Sequence, residues 1–204
     1  MNLFEMEIEK SIEHLEDEHV LLGEKIREKI PFGRKFSTGR SKFDFWVLFG
    51  GMFYGLECKM QRNKNSFSLS DISIIDDAQI TTLFNVERMG GQGVLGLRSE
   101  EDKKECFFVR IKPILEYLRA KKTKTVKLEV LRRLSFVHVV ETLPVESTYT
   151  IWNIRKIKDL PNHFEDRDMD LMREGRLVAA PYDEILKRLS DAEEFDELLK
   201  LIEV

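Results

Sequence analysis

Apolar residues recur at helical spacing from Leu3 to about Ile30, at Phe4, Ile8, Ile12, Leu15, Leu22 and Ile26. They predict an amphipathic helix that Pro31 ends. The period then changes. Phe43 to Phe49 is an aromatic and β-branched run broken by a single charge, Asp44, and Met52 to Lys59 alternates with period two. Two strands joined at Gly50-Gly51 follow from that pattern. In the second strand, Phe53, Gly55, Glu57 and Lys59 share one face, and Tyr54, Leu56 and Cys58 share the other.

Before this hairpin, Phe32 to Phe36 reads as a short edge strand and Ser37 to Ser41 as a loop. After it, Met60 to Ser73 is polar and reads as a loop over the rim of the hairpin, anchored by Phe67 and Leu69. Asp76 or Asp77 caps a helix running to about Met89, packed through Ile80, Leu83, Phe84 and Val86. Gly90 to Gly93 stops it. Strands at Val94–Leu97 and Cys106–Ile111 follow, separated by a charged turn from Ser99 to Lys104, and Pro113 opens another helix. This order of elements is that of an α/β protein.

Beyond Ala120 the pattern is weaker. Lys121 to Leu134 reads as a basic helix, Val137–Val140 and Tyr149–Ile154 as strands, and Glu165–Asp170 as a connection. Pro181 and Asp183 precede a terminal helix to about Ile202, which carries an apolar stripe through Ile185, Leu189, Phe195, Leu198 and Ile202. Its open uses are docking on the core, pairing with a second subunit, or binding a partner protein. His14 and His19 are expected on the first helix surface, and His138 as a packed histidine.

Composition narrows the class. The 204 residues, 42% hydrophobic and 34% charged, suffice for one domain with an appendage or two small ones. No run approaches the roughly twenty apolar residues of a membrane span, and the acidic start lacks the features of a signal peptide, so a cytoplasmic protein is expected. Cys58 and Cys106 are isolated, which argues against a zinc site or a disulfide framework. The net charge of −4 by itself disfavours nucleic-acid binding. Its distribution says otherwise: from Pro31 to Lys64 the bases are Arg34, Lys35, Arg40, Lys42, Lys59, Arg62 and Lys64, and the acids are Asp44 and Glu57 alone. A second basic stretch runs from Lys103 to Arg133, where a solvated surface and phosphate contact are both open readings.

If the strands pair through the Gly-Gly turn, Asp44 approaches Glu57 and Lys59. Two carboxylates with waters and a backbone carbonyl suit Mg²⁺, and a neighbouring lysine can orient a water for attack on phosphorus. The alternative is a plain ion pair at a strand end.

Asp44 followed by Glu57-Cys58-Lys59 resembles the signature of the PD-(D/E)XK nuclease superfamily, and within it the RecU-type Holliday junction resolvases. The matching pieces are Arg40-Ser41-Lys42-Phe43-Asp44, Gly50-Gly51, Leu56-Glu57-Cys58-Lys59, Phe67-Ser68-Leu69, Ala78-Gln79 and Gly90-Gly91-Gln92-Gly93-Val94, spread over residues 3 to 118. Ser68 stands in place of the family's proline, Ala78 in place of its histidine, and Gln61 or Arg62 in place of a threonine.

The resemblance implies a restriction-endonuclease-like core over residues 1–120, a mixed central sheet flanked by helices. Residues 121–204 would then form a partly helical C-terminal extension or small accessory domain. It also implies an Mg²⁺-dependent DNA endonuclease, with Mn²⁺ as an alternative cofactor, acting as a homodimer on four-way junctions and leaving 5′-phosphates. Asp44, Glu57 and the Cys58 carbonyl would hold the metal, with Glu5 or Glu9 of the first helix reaching it. Lys59 would position water, and Gln79 would help hold the site. Arg34, Lys35, Arg40, Ser41, Lys42, Arg62 and Lys64 would line the DNA. A restriction-type or phage nuclease on duplex DNA, and a catalytically silent DNA-binding adaptor, are the competing readings.

Overall fold

Helix α1 covers Leu3–Asp17 in the computed structural model, which describes residues 2–26, 43–61, 66–68, 77–99, 105–121, 123 and 125–173. Asn2 caps it, its Oδ1 accepting the Glu5 backbone N–H at 2.9 Å, and Phe4, Ile8, Ile12 and Leu15 are buried. Burying each such side chain stabilises by roughly 1.5–3 kcal/mol relative to leaving it exposed. The helix ends well before the expected Ile30. His19 takes the left-handed conformation (φ 58°) and the Val20 N–H closes onto the Leu15 carbonyl, which turns the chain out of the helix. Leu22 therefore starts a strand, β1 (Leu22–Lys25), although its spacing from Leu15 also fits a helix.

β1 pairs antiparallel with β2 (Phe45–Phe49), and β2 pairs antiparallel with β3 (Met52–Gln61). Gly50 (φ 58°) and Gly51 (φ 79°) form the two-residue turn, where residues other than glycine are strained. β4 (Ser66–Ser68) follows, then α2 (Asp77–Arg88) and β5 (Gln92–Ser99). β5 lies parallel to β3, so α2 is the crossover of a βαβ unit. That crossover is tight: a Cβ on Gly93 would lie 2.6 Å from the Leu83 carbonyl oxygen and 3.0 Å from Ile111 Cγ2. Gly93→Ala is expected to destabilise by about 1–3 kcal/mol, read from the midpoint of urea unfolding.

β6 (Glu105–Arg110), α3 (Ile111–Lys121), β7 (Thr125–Lys127), α4 (Leu128–Leu131), β8 (Val137–Glu141), a 3₁₀ helix (Ile154–Asp159) and α5 (Asp166–Arg173) complete the described chain. The main sheet has the order β1-β2-β3-β5-β6-β8. It is mixed and flanked by helices, the α/β class expected from the sequence. One face packs Leu83, Leu97, Ile114 and Phe136 against α2 and α3. The other packs Phe45, Tyr54 and Phe108 against α1 and the 3₁₀ helix. Covered on both faces, β5 is buried almost throughout. Cys58 and Cys106 are free and buried in the second core, as small apolar residues.

Several elements correct the sequence reading. Met60–Ser73 contains β4, which pairs with β7 in a separate ribbon, and Lys121–Leu134 is β7 and α4 rather than one helix. Phe67 and Val126 face each other there and are buried, enough to hold two short polar strands. Tyr149–Ile154 makes only the bridge Thr142↔Trp152 before entering the 3₁₀ helix. The expected connection at Glu165–Asp170 is the start of α5, because Asp168 accepts the Glu165 backbone N–H at 2.8 Å and caps the helix. His19 is a turn residue rather than a helix-surface one. The main sheet continues past residue 120, with β8 as its sixth strand. The predicted strand at Phe32–Phe36, the loop at Ser37–Ser41 and the terminal helix lie outside the described residues.

A buried ionic cluster ties α1 to distant parts of the chain. Glu7 Oε2 accepts from Arg98 Nη1 and, at 3.0 Å, from Trp152 Nε1. The Ser11 hydroxyl donates to the Glu7 carbonyl at 2.7 Å and accepts the Trp152 backbone N–H at 2.8 Å. Arg98 also lies over the rings of Phe4 and Trp152, 6.0 and 5.5 Å from their centres. No described helix is long and apolar enough to cross a membrane.

Candidate active site

The hairpin register brings the first three site residues together. Phe45 opposes Leu56, so Asp44 continues the ladder by donating its N–H to the Leu56 carbonyl at 3.1 Å and accepting the Ile26 N–H at 2.8 Å. Its carboxylate then turns across to β3, where Oδ2 accepts the Cys58 backbone N–H at 2.7 Å. Glu57 and Lys59 follow on one face of β3, as period two requires, opposite Leu95 and Leu97 of β5. A Cβ on the Gly55 that precedes them would lie 3.2 Å from Val86 Cγ2 and 3.5 Å from Leu83 Cδ2, so α2 sits over the same face.

Gln79, in the first turn of α2, links the pair. Its Nε2 donates to Glu57 Oε1 at 2.6 Å and its Oε1 accepts from Lys59 Nζ at 3.1 Å. Lys59 Nζ is also ion-paired with Glu57 Oε1. The Glu57 side chain is fully buried, and its Oε2 has no hydrogen-bond partner among the described residues. A buried acceptor left in that state is costly unless a proton or a cation satisfies it.

Electrostatics agree with the geometry. Burial, with the Asp44 charge adding to it and Lys59 opposing it, pushes the Glu57 carboxyl up to about 8. Burial raises Asp44 as well, against the Cys58 N–H that favours its ionised form. Folded Glu57 therefore holds its proton where the unfolded side chain has released it, so its stabilising contribution is complete below about pH 4.5 and is lost as pH rises toward about 8. Without a bound cation, unfolding free energy is expected to fall over that window by on the order of a few kcal/mol. Glu57→Gln should flatten the slope, which urea melts at pH 5, 6.5 and 8 would read directly; an unchanged slope would rule out Glu57 as its source.

Glu5 is the α1 carboxylate whose charge raises both Asp44 and Glu57. Its oxygens are engaged, however: Oε2 pairs with Lys25 Nζ at 2.9 Å and Oε1 accepts from Asn2 Nδ2 at 2.7 Å. Lys25 is a site residue that sequence reasoning missed, because the helical reading ran through it. The run Val20-Leu21-Leu22-Gly23 was the available signal, being apolar without helical spacing and ending in glycine. Among the described residues no group of three or more His, Cys, Asp or Glu side chains is gathered so as to hold a metal ion. Asp44, Glu57 and the Cys58 carbonyl are the groups there that could hold a cation. Arg34, Lys35, Arg40, Ser41, Lys42, Arg62 and Lys64 lie outside the described residues.

No protein-family model and no curated protein matches the chain. Among solved structures it is similar to the 1.6 Å structure of Archaeoglobus fulgidus Hjc, a Holliday junction resolvase from an archaeal hyperthermophile. The identity is 13% and the TM-score 0.35, over 53% of this chain and 74% of that one. At that distance the functional reading rests on the side chains described above.

Proposed function

We propose that the chain is a metal-dependent endodeoxyribonuclease of the PD-(D/E)XK kind that cuts four-way DNA junctions, as a RecU-type resolvase would. The observation that carries this reading is the convergence of Asp44, Glu57, Lys59 and Gln79 around a buried Glu57 whose Oε2 has no hydrogen-bond partner among the described residues. A bound cation would satisfy that oxygen. Two carboxylates and a backbone carbonyl form a hard-oxygen set, and Mg²⁺ takes few protein ligands, so the residues present fit the ion. When bound, Mg²⁺ or Mn²⁺ supplies Lewis-acid stabilisation of charge at the scissile phosphate.

The chain's own residues do the rest. Lys59, held by Gln79 and Glu57, presents its ammonium where it can orient the attacking water and offset charge on the phosphoryl oxygens. Gln79 fixes the Lys59 and Glu57 side chains relative to each other. The Cys58 N–H fixes Asp44. Water attacks in line and the 3′ oxygen leaves, giving a 5′-phosphate. Paired incision of a junction implies two such sites, hence a symmetric homodimer.

The test is cleavage of end-labelled four-way junction, linear duplex and single strand with Mg²⁺ or with EDTA. Symmetric, Mg²⁺-dependent nicks in the junction alone are expected. Preferential cutting of linear duplex would replace resolution by a restriction-type activity, and firm binding without any cleavage would leave a DNA-binding adaptor.

A further inference from the structure

The ribbon of β4 and β7 has no part in the site described above, and its two faces differ in kind. Phe67 and Val126 oppose each other and are buried at 1% and 2% exposure. Strand alternation then sends Thr125 and Lys127 to the other face, where the register sets Ser66 opposite Lys127. Thr125 and Lys127 are exposed, and the Lys127 side chain keeps 70% of its accessible surface with only a 3.9 Å approach to Glu129. Thr123 adds a hydroxyl beside Thr125, 3.4 Å from oxygen to oxygen. None of the residues in either strand is acidic.

Its place in the fold matters as much as its chemistry. β4 follows the site-bearing end of β3 after four residues, 62–65. Phe67 packs in the core that also holds Phe43, Ile80 and Leu97. Phe43 precedes Asp44, Ile80 follows Gln79, and Leu97 is the register partner of Lys59. The ribbon thus shares a core with neighbours of three site residues. In sequence, the segment from Lys121 to Arg133 carries Lys121, Lys122, Lys124, Lys127, Arg132 and Arg133 against the single acid Glu129.

We propose that the outer face of the β4–β7 ribbon is a second nucleic-acid contact surface, gripping the sugar-phosphate backbone of an arm that extends from the cut. The proposal rests on the nuclease reading and adds to it a substrate footprint wider than the reacting phosphate. Hydroxyls and an ammonium on a carboxylate-free strand pair suit phosphate oxygens, which accept from Ser, Thr and Lys without regard to base sequence. A protein partner would call for an apolar centre, which this face lacks.

The experiment measures the affinity of the full chain for a fluorescent four-way junction at several salt concentrations, with Ca²⁺ in place of Mg²⁺ to hold off cleavage. Lys127→Glu is compared with wild type and with Lys156→Glu, an equal charge reversal at an exposed position on the 3₁₀ helix. Lys127→Glu is expected to weaken binding by about tenfold and to reduce the salt slope by about one, Lys127→Gln to weaken it less, and Lys156→Glu to match wild type. Wild-type affinity and slope in Lys127→Glu, while wild type binds and cuts the junction, would overturn the ribbon proposal and leave the nuclease reading standing. Equal losses in Lys127→Glu and Lys156→Glu would overturn it too, by reducing the effect to net charge. A wild-type protein that neither binds nor cuts DNA would overturn both.

Discussion

Lys59→Ala is expected to slow junction cleavage by at least about 10²–10³-fold at saturating Mg²⁺, the scale of losing one preorganised charge-stabilising donor. DNA affinity should change little, because one phosphate contact among many is lost. The fold should survive, since burial and the Asp44 charge already raise Glu57, and without Lys59 the carboxyl simply keeps its proton. Asp44→Asn is expected to lose cleavage as fully. An amide oxygen can still accept the Cys58 N–H, so the strand pairing stays while the negative ligand goes. Single-turnover cleavage of labelled junction, beside thermal melts of each variant, checks both. Cleavage within threefold of wild type in both folded variants would remove the site assignment.

The largest effect on stability is expected from Arg98→Met. The guanidinium is 2% exposed, and its loss leaves the Glu7 carboxylate inside the protein with the Trp152 indole N–H as its remaining side-chain donor. Removing one partner of a buried pair costs about 3–5 kcal/mol, because the other charge remains desolvated. It also removes the cation from between Phe4 and Trp152. The double variant Glu7→Gln with Arg98→Met should recover much of the loss, since no charge is then stranded. Urea unfolding followed by tryptophan fluorescence measures all three. A loss below about 1 kcal/mol in Arg98→Met would mean that water or a shifted side chain already serves Glu7.

Elements whose signals are local were legible from sequence. The hairpin, the faces of β3, the extent of α2 and its glycine stop all follow from period and turn chemistry, and the convergence of Asp44, Glu57 and Lys59 follows from the hairpin. Gln79 stands out in the sequence only through resemblance, because its two hydrogen bonds reach Glu57 and Lys59, remote in the chain. What was not legible depends on partners remote in the chain. Arg98 reads as a polar strand end, yet it is buried because Glu7, 91 residues away, receives it. α5 is too polar for periodicity to reveal, and its placement comes from Asp168, which accepts the Ser135 backbone N–H at 2.7 Å as well as capping its own helix. The end of α1 misled because a histidine, not a glycine, adopts the left-handed turn.

The Gly50-Gly51 turn acts as a ruler. Equal arms run back from it to Asp44 and forward to Glu57, and the pairing Phe49↔Met52 through Phe45↔Leu56 keeps count between them. One residue inserted in either arm would leave the strands able to pair but turn that arm's carboxylate to the opposite side of the sheet. Length changes between Asp44 and Glu57 therefore damage the site and the core together, since buried neighbours such as Phe45 and Val47 would change face with the carboxylate. The same insertion between β3 and β4, or between β5 and β6, disturbs no such count. The spacing of the acidic residues is thus a mechanical property of the hairpin as well as a pattern in the sequence.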